Sequence, residues 1–210
     1  MEAGEEIVIT RNGEPVARMS PIKAQRVLAP EQQAAWERTR RRMEPGWELV
    51  LVRWTAPHCM NVERFTLDTN VLAYALDSRA GTHRRLADDI SSRALRLDCR
   101  LTIQAVSEFC AATVRKRLVP ADQAAAQAED WRILFPLAMV SADAVRRALR
   151  ASRSGRASYW DALLIAAAAG CAAILTEDLS DGSHLFVVRV INPFTRASLS
   201  PAAAALLQCG

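Results

Sequence analysis

Apolar and polar positions follow two different rhythms along this chain, and the change of rhythm divides it. In residues 6–19, short apolar runs flank Asn12-Gly13, the dipeptide that most strongly marks a tight hairpin turn, so a pair of antiparallel strands is predicted. From Pro30 to Met43 the pattern becomes polar and helical, rich in Glu, Gln and Arg. It ends in Arg38-Thr39-Arg40-Arg41-Arg42, and Pro45-Gly46 stops it. A lone hairpin and one helix bury too little to form a core of their own.

From residue 64 onward, strand and helix patterns alternate. The β-prone run Phe65-Thr66-Leu67 leads through Asp68-Thr69-Asn70 into an apolar helical segment. Helices are predicted over 82–97, 106–118, 121–134, 143–151 and 158–169. Strands are predicted over 101–103, 137–140, 171–175 and 186–191, the last ending at Asn192-Pro193. Strands separated by helices imply an α/β fold, a central parallel sheet flanked by helices. The tail from Ser200 predicts a short Ala/Leu helix without evident chemistry.

Composition narrows the class. With 210 residues, 50% hydrophobic and 24% charged, the chain fits a globular domain with room for a small extra module. The acidic start, Met1-Glu2-Ala3-Gly4-Glu5-Glu6, lacks the basic and apolar regions of a signal peptide. The longest apolar run, 162–175, is broken by Gly170 and is too short to span a bilayer. A cytoplasmic protein without a membrane segment is therefore expected. Five scattered cysteines with no CxxC pair read as reduced thiols, and three histidines away from them argue against a zinc site. A net charge of +4 permits a polyanionic partner. Its distribution is more informative. Arg115-Lys116-Arg117 forms one cluster, and Arg146, Arg147, Arg150, Arg153 and Arg156 form another at helical spacing. A solvated helix face and a phosphate-binding face fit the second cluster equally.

Acidic residues fall at the junctions. Asp68 closes the first strand, Glu108 lies early in the helix after the second, and Asp161 opens the apolar helix. Asp178 and Asp181 follow the strand ending at Leu175. Each has a structural explanation. Asp68 suits an N-cap, Ser158 and Asp161 have capping-box spacing, Glu108 suits the helix dipole, and Asp181-Gly182 is a turn signal. Together they mean more, because strand ends and the helix starts after them share one edge of a parallel sheet. Carboxylates gathered there repel one another unless a hard cation neutralises them, and Mg²⁺ or Mn²⁺ prefers such oxygen ligands. No Ser-His-Asp grouping, Cys-His grouping or GxxxxGK[ST] loop competes. Metal-assisted phosphodiester hydrolysis is the reaction class that fits.

Two resemblances sharpen this. Gly4-Glu5-Glu6-Ile7-Val8-Ile9-Thr10-Arg11-Asn12-Gly13-Glu14-Pro15-Val16-Ala17 resembles the Phd/YefM antitoxins, without the preceding strand and helix that complete their DNA-binding surface. Phe65-Thr66-Leu67-Asp68-Thr69-Asn70-Val71-Leu72, Ser107-Glu108-Phe109, Tyr159-Trp160-Asp161-Ala162-Leu163, Leu175-Thr176-Glu177-Asp178-Leu179 and Val190-Ile191-Asn192-Pro193-Phe194 are similar to the motifs of VapC-type PIN-domain toxins. The second resemblance implies a PIN-like three-layer fold and an Mg²⁺- or Mn²⁺-dependent endoribonuclease. Asp68 and Asp161 would be the principal metal ligands, Glu108 would complete the cluster or orient the attacking water, and Asp178 would be the fourth acid, with Asp181 as its rival. Asn70 and Thr176 would support them, and Arg115, Arg117, Arg153 and Arg156 would contact RNA. The implied partners are RNA, a cognate antitoxin in cis or in trans, a second copy of the chain, and operator DNA only through an antitoxin. The expected organisation is an antitoxin-like segment over 1–59, a PIN domain over 60–196 and a tail over 197–210. Met60 makes a natural start for the second part, as in a fusion of two reading frames; a translation product starting only at Met60 would argue against that fusion. Two alternatives remain open. The Arg-rich helix lies across the acidic site and silences it, leaving a regulatory, antitoxin-binding module, or the nuclease acts on DNA.

Overall fold

The computed structural model describes the backbone of 7–11 and 14–19, and residues 28–43 and 63–208 in full. Strands β1 (Ile7–Arg11) and β2 (Glu14–Met19) pair antiparallel as the hairpin pattern requires, with an irregularity between Ile9 and Thr10. The turn at Asn12-Gly13 and the boundary at Met60 lie outside the described residues. Helix α1 (Pro30–Met43) has the predicted bounds.

The main body runs β3 (Phe65–Leu67), α2 (Thr69–Tyr74), α3 (Thr82–Ala94), β4 (Leu101–Thr102), α4 (Ile103–Arg115), α5 (Ala121–Leu134) and β5 (Leu137–Ala138). Then come α6 (Ala142–Arg153), α7 (Tyr159–Ala167), β6 (Ala173–Leu175), β7 (His184–Leu185), β8 (Val188–Ile191) and α8 (Pro201–Leu207). β3, β6 and β8 form the parallel centre of a sheet of order β3-β6-β8-β7, with β7 antiparallel at its edge. The parallel pair β4-β5 joins the other side of β3. Phe65 N–H donates to Asp98 O at 3.2 Å, and Arg100 N–H donates to Phe65 O at 3.0 Å. The strands therefore lie in the order β5-β4-β3-β6-β8-β7. After β3 the chain moves outward to β4 and β5, then returns to place β6 on the opposite side of β3. That reversal makes the gap between the carboxyl ends of β3 and β6 the topological switch point, where open α/β sheets form a ligand crevice.

The central strands β3 and β6 are short and buried throughout. Phe65, Leu67, Ala173, Ile174 and Leu175 are fully inaccessible, as a sheet flanked by helices demands. Helix α6 buries Ala144, Ala148 and Ala151 along one stripe and leaves arginines on the other. Most boundaries differ from expectation by one to three residues, as where α4 ends at Arg115, β5 at Ala138 and α7 at Ala167, and three differences have a local cause or consequence. Ile103 begins α4 instead of ending a strand, because the Thr102 hydroxyl accepts from Ala105 N–H at 3.0 Å and caps the helix. The helix beginning at Thr82 stops at Ala94. Phe186, expected in the last strand, forms with Val187 the two-residue turn between β7 and β8, and β7 itself was not predicted.

Helix α1 packs on α5. Its Ala35, Thr39 and Met43 are buried one turn apart. Arg38 and Arg42, also one turn apart, both reach Asp130 at 2.6 Å, and Arg40 pairs with Asp88 on α3. Gln127 donates to the Thr39 hydroxyl at 2.8 Å, and Gln32 donates to Ile133 O at 3.1 Å. Among the described residues no helix is long and apolar enough to cross a membrane.

Candidate active site

The switch point is lined by side chains that the strand ends deliver. Asp68 follows β3, and its backbone N–H donates to Leu175 O at 3.0 Å. Thr176 follows β6, and its N–H donates to Ile191 O at 3.0 Å. The ladder thus fixes both residues before their side chains are considered. Asp68 caps α2, accepting from Thr69 N–H at 2.6 Å. The same carboxylate accepts from the Thr176 hydroxyl at 2.6 Å and from Asn70 Nδ2 at 3.2 Å. The structural reading and the functional one therefore describe the same carboxylate. One oxygen caps a helix while the other belongs to a polar cluster.

Asp68 is only 7% exposed. Burial raises its pKa from 3.8 to about 6; hydrogen bonds from Thr176 and Thr69 oppose the rise, and the charges of Asp178 and Glu108 add to it. Asp178 is tied in from β6, its N–H donating to the Thr176 hydroxyl at 3.1 Å. Glu108 reaches the same place from α4, accepting from Gln104 Nε2 at 2.9 Å and from the Thr69 hydroxyl at 3.3 Å. Gln104 also donates to Trp160 O at 3.0 Å, so it ties α4 to the start of α7.

Asp161 stands apart from this network. Its carboxylate accepts from the Ser158 hydroxyl at 2.6 Å, and its N–H donates to that hydroxyl oxygen at 3.2 Å, so the Ser158 side chain caps the first turn of α7. Asp181 is engaged elsewhere, accepting from Asn192 N–H at 2.9 Å in the turn before β7. Of the two rivals for the fourth acid, Asp178 is therefore the one whose charge acts on Asp68.

Among the described residues, no three His, Cys, Asp or Glu side chains stand close enough together to hold one ion. The donor chemistry of the crevice nevertheless suits a hard cation. Asp68, Glu108, Asp161 and Asp178 form no ion pair with any described residue, and the buried oxygens Asn70 Oδ1 and Gln104 Oε1 have no donor among them. All are oxygen ligands.

The other expected positions separate into two places. Arg115 and Arg117 are exposed at the end of α4, where Arg117 adopts φ 51. Arg153 and Arg156 are exposed at the turn from α6 to α7. The expectation that the Arg-rich helix lies across the acidic cluster is not met by its ion pairs, because Arg38, Arg40 and Arg42 are held by Asp130 and Asp88. Gln104 and Trp160 are additions that sequence reasoning did not single out. Trp160 is 62% exposed, beside Asp161 and edge-on to Tyr159. Its only sequence signal was an aromatic pair next to an acid.

No protein-family model matches the chain, and no curated protein does. Among solved structures, the chain is similar to one from the crystal structure of VapBC2 from Rickettsia felis bound to a DNA fragment from their promoter. The identity is 11%, covering 60% of this chain and 96% of that one, with a TM-score of 0.45.

Proposed function

We propose that this protein is a metal-dependent endoribonuclease, the toxin component of a type II toxin–antitoxin pair, and that Asp68 anchors its site. The observation that carries this is the buried Asp68 at the switch point, which pairs with no cationic side chain among the described residues, with its pKa near 6 and with Asn70, Thr176, Asp178 and Glu108 around it. A buried carboxylate without a positive partner is unfavourable as a structural element, and its retention suits a ligand that brings positive charge. Asp68, with Glu108 and Asp178 beside it, is the carboxylate that would contact Mg²⁺ or Mn²⁺; Asp161 would join it only by giving up its bond from Ser158. The ion, when bound, would supply Lewis acidity toward a phosphoryl oxygen and lower the pKa of a coordinated water.

The chain's own groups carry the remaining roles. Thr176 and Asn70 orient Asp68 through their hydrogen bonds, as supporting groups do around a metal ligand. Glu108, steered by Gln104 and Thr69, is placed to take a proton from an attacking water. Exposed Trp160, next to Asp161, offers a face on which an unstacked base can lie, which favours single-stranded RNA over a duplex.

The test is cleavage of a mixed RNA pool with Mg²⁺ or Mn²⁺, alongside single-stranded DNA. Metal-dependent cleavage of RNA that falls by at least about two orders of magnitude in Asp68→Asn is the expected result. Equal activity in that variant would overturn the assignment, and preference for DNA would overturn the substrate.

The docking of α1 favours a second element of the reading, an antitoxin-like helix bound in cis. Silencing through this helix would then not run through Arg38, Arg40 or Arg42, which Asp130 and Asp88 hold. A partner antitoxin in trans would compete for the same surface of α5.

A further inference from the structure

A second cleft, of about 260 Å³, lies where α6 turns back toward α7. Arg147, Arg150, Ala151, Ser154, Arg156 and Phe186 line it. None of these residues is acidic, and none of the three arginines forms an ion pair with a described residue. The acid at the start of the same helix, Asp143, is taken by Arg146 at 3.2 Å. Converging guanidinium groups without an acid repel one another, and an oxyanion relieves that repulsion with fork-shaped hydrogen bonds.

The backbone fixes this arrangement. Gly155 adopts φ 70, its N–H donates to Ser152 O at 3.0 Å, and Arg156 N–H donates to Ala151 O at 3.0 Å. That is a Schellman cap, and it folds Arg156 back over the end of the helix that carries Arg147 and Arg150. On the other wall, Phe186 occupies the first position of the two-residue β7–β8 turn with φ 58. Glycine is the residue suited to that position, and a bulky side chain there is strained. Its ring is covered by Arg147, whose guanidinium carbon lies 4.2 Å from the ring centre. The strained residue therefore holds one of the arginines in place, as strain kept at a functional site does.

We infer that this cleft binds a phosphomonoester, the phosphate at an end of a single-stranded RNA. A phosphodiester carries one negative charge, whereas a terminal phosphate carries about −1.5 to −2 at neutral pH and offers three acceptor oxygens, which better matches three guanidinium groups and the Ser154 hydroxyl. The choice of RNA rests on the ribonuclease reading; the phosphate chemistry does not.

The experiment measures fluorescence anisotropy of a short 3′-labelled oligoribonucleotide with the full chain carrying Asp68→Asn, in chelator. A 5′-phosphate, or a 3′-phosphate on a strand labelled at the other end, is expected to tighten binding roughly tenfold over a hydroxyl end. The double variant Arg147→Gln/Arg150→Gln is expected to abolish that preference while binding to hydroxyl-ended RNA changes much less. Equal affinity for phosphate and hydroxyl ends overturns the proposal, as does a preference that survives the double variant. Adenosine 5′-monophosphate separates the two sources of a phosphomonoester. Displacement only at concentrations that inorganic phosphate also needs keeps the RNA end as ligand, whereas displacement at far lower concentrations reassigns the cleft to a free nucleotide. Lost end preference with intact metal-dependent cleavage removes this subsite and leaves the ribonuclease reading standing. An intact preference in a chain that cleaves no RNA does the reverse.

Discussion

At Asp68, desolvation outweighs hydrogen bonding. Donors from Thr69, Asn70 and Thr176 favour its ionised form, yet burial still lifts the carboxyl to about 6. The sign for stability follows. Below pH 3.8 the residue is protonated in both native and unfolded chains. Between 3.8 and about 6 the unfolded chain releases its proton first, so this residue's contribution falls as pH rises, by up to about 3 kcal/mol, and is level above that window. In metal-free protein, Asp68→Asn is therefore expected to be more stable than wild type at pH 8 and nearly equal at pH 4, read from urea midpoints at the two pH values. Thr176→Val, which removes the 2.6 Å hydrogen bond to the carboxylate, is expected to reduce metal-dependent cleavage roughly 10–100-fold while the chain stays folded by circular dichroism. These residues were legible in the sequence because strand end, cap and acid sit within a few positions of one another. Gln104 was not, because its meaning depends on Trp160 O, which only folding brings within 3.0 Å. Asp161 was legible twice over, and engagement of the Ser158 cap is the role its contacts display.

At the level of elements, the periodic segments came through and the short ones did not. Helices α1 and α5 have the predicted bounds because prolines punctuate both ends, Pro30 and Pro45 around α1 and Pro120 and Pro136 around α5. β7 escaped because two residues carry no period, and Phe186 was misread because a β-prone residue sits in a turn position that favours glycine. Phe186→Gly tests that conflict. Relief of the positive φ, worth about 1 kcal/mol, offsets part of the lost packing, so the melting temperature is expected to move by only a few degrees. Binding to phosphate-ended RNA is expected to weaken, because Arg147 loses the ring that holds it. The seat of α1 was likewise invisible in the sequence, since Asp130 lies far along the chain from Arg38 and Arg42. Asp130 is 2% exposed, and both guanidinium groups are partly in solvent, so removal of the arginines strands the buried acid. Arg38→Ala/Arg42→Ala is expected to release α1, seen as faster amide exchange over 30–43, while Asp130→Asn is expected to loosen it less. Unchanged exchange in the double variant would show that the apolar face of α1 holds it unaided.

Across the whole molecule, a net charge of +4 conceals a division of labour between an acidic crevice at the switch point and basic surface at the end of α4 and around the α6–α7 turn. The two regions respond to different solutes, which separates metal from polyanion. A cation that binds the native chain alone raises its stability by RT ln(1 + [L]/Kd), about 2.7 kcal/mol at a hundredfold excess over Kd, and a chain of this size gains roughly 2–4 °C per kcal/mol. Protons compete with the cation for Asp68, so Mn²⁺ is expected to raise the melting temperature more at pH 8 than at pH 5, on either side of its pKa of about 6. Chelator is expected to reverse the gain, and Asp68→Asn to remove most of it. Arg147→Gln/Arg150→Gln is expected to leave the Mn²⁺ shift intact while flattening the salt dependence of binding to phosphate-ended RNA. A Mn²⁺ shift of equal size at both pH values, or one that persists in Asp68→Asn, would place the cation away from this carboxylate and separate the buried charge from metal binding.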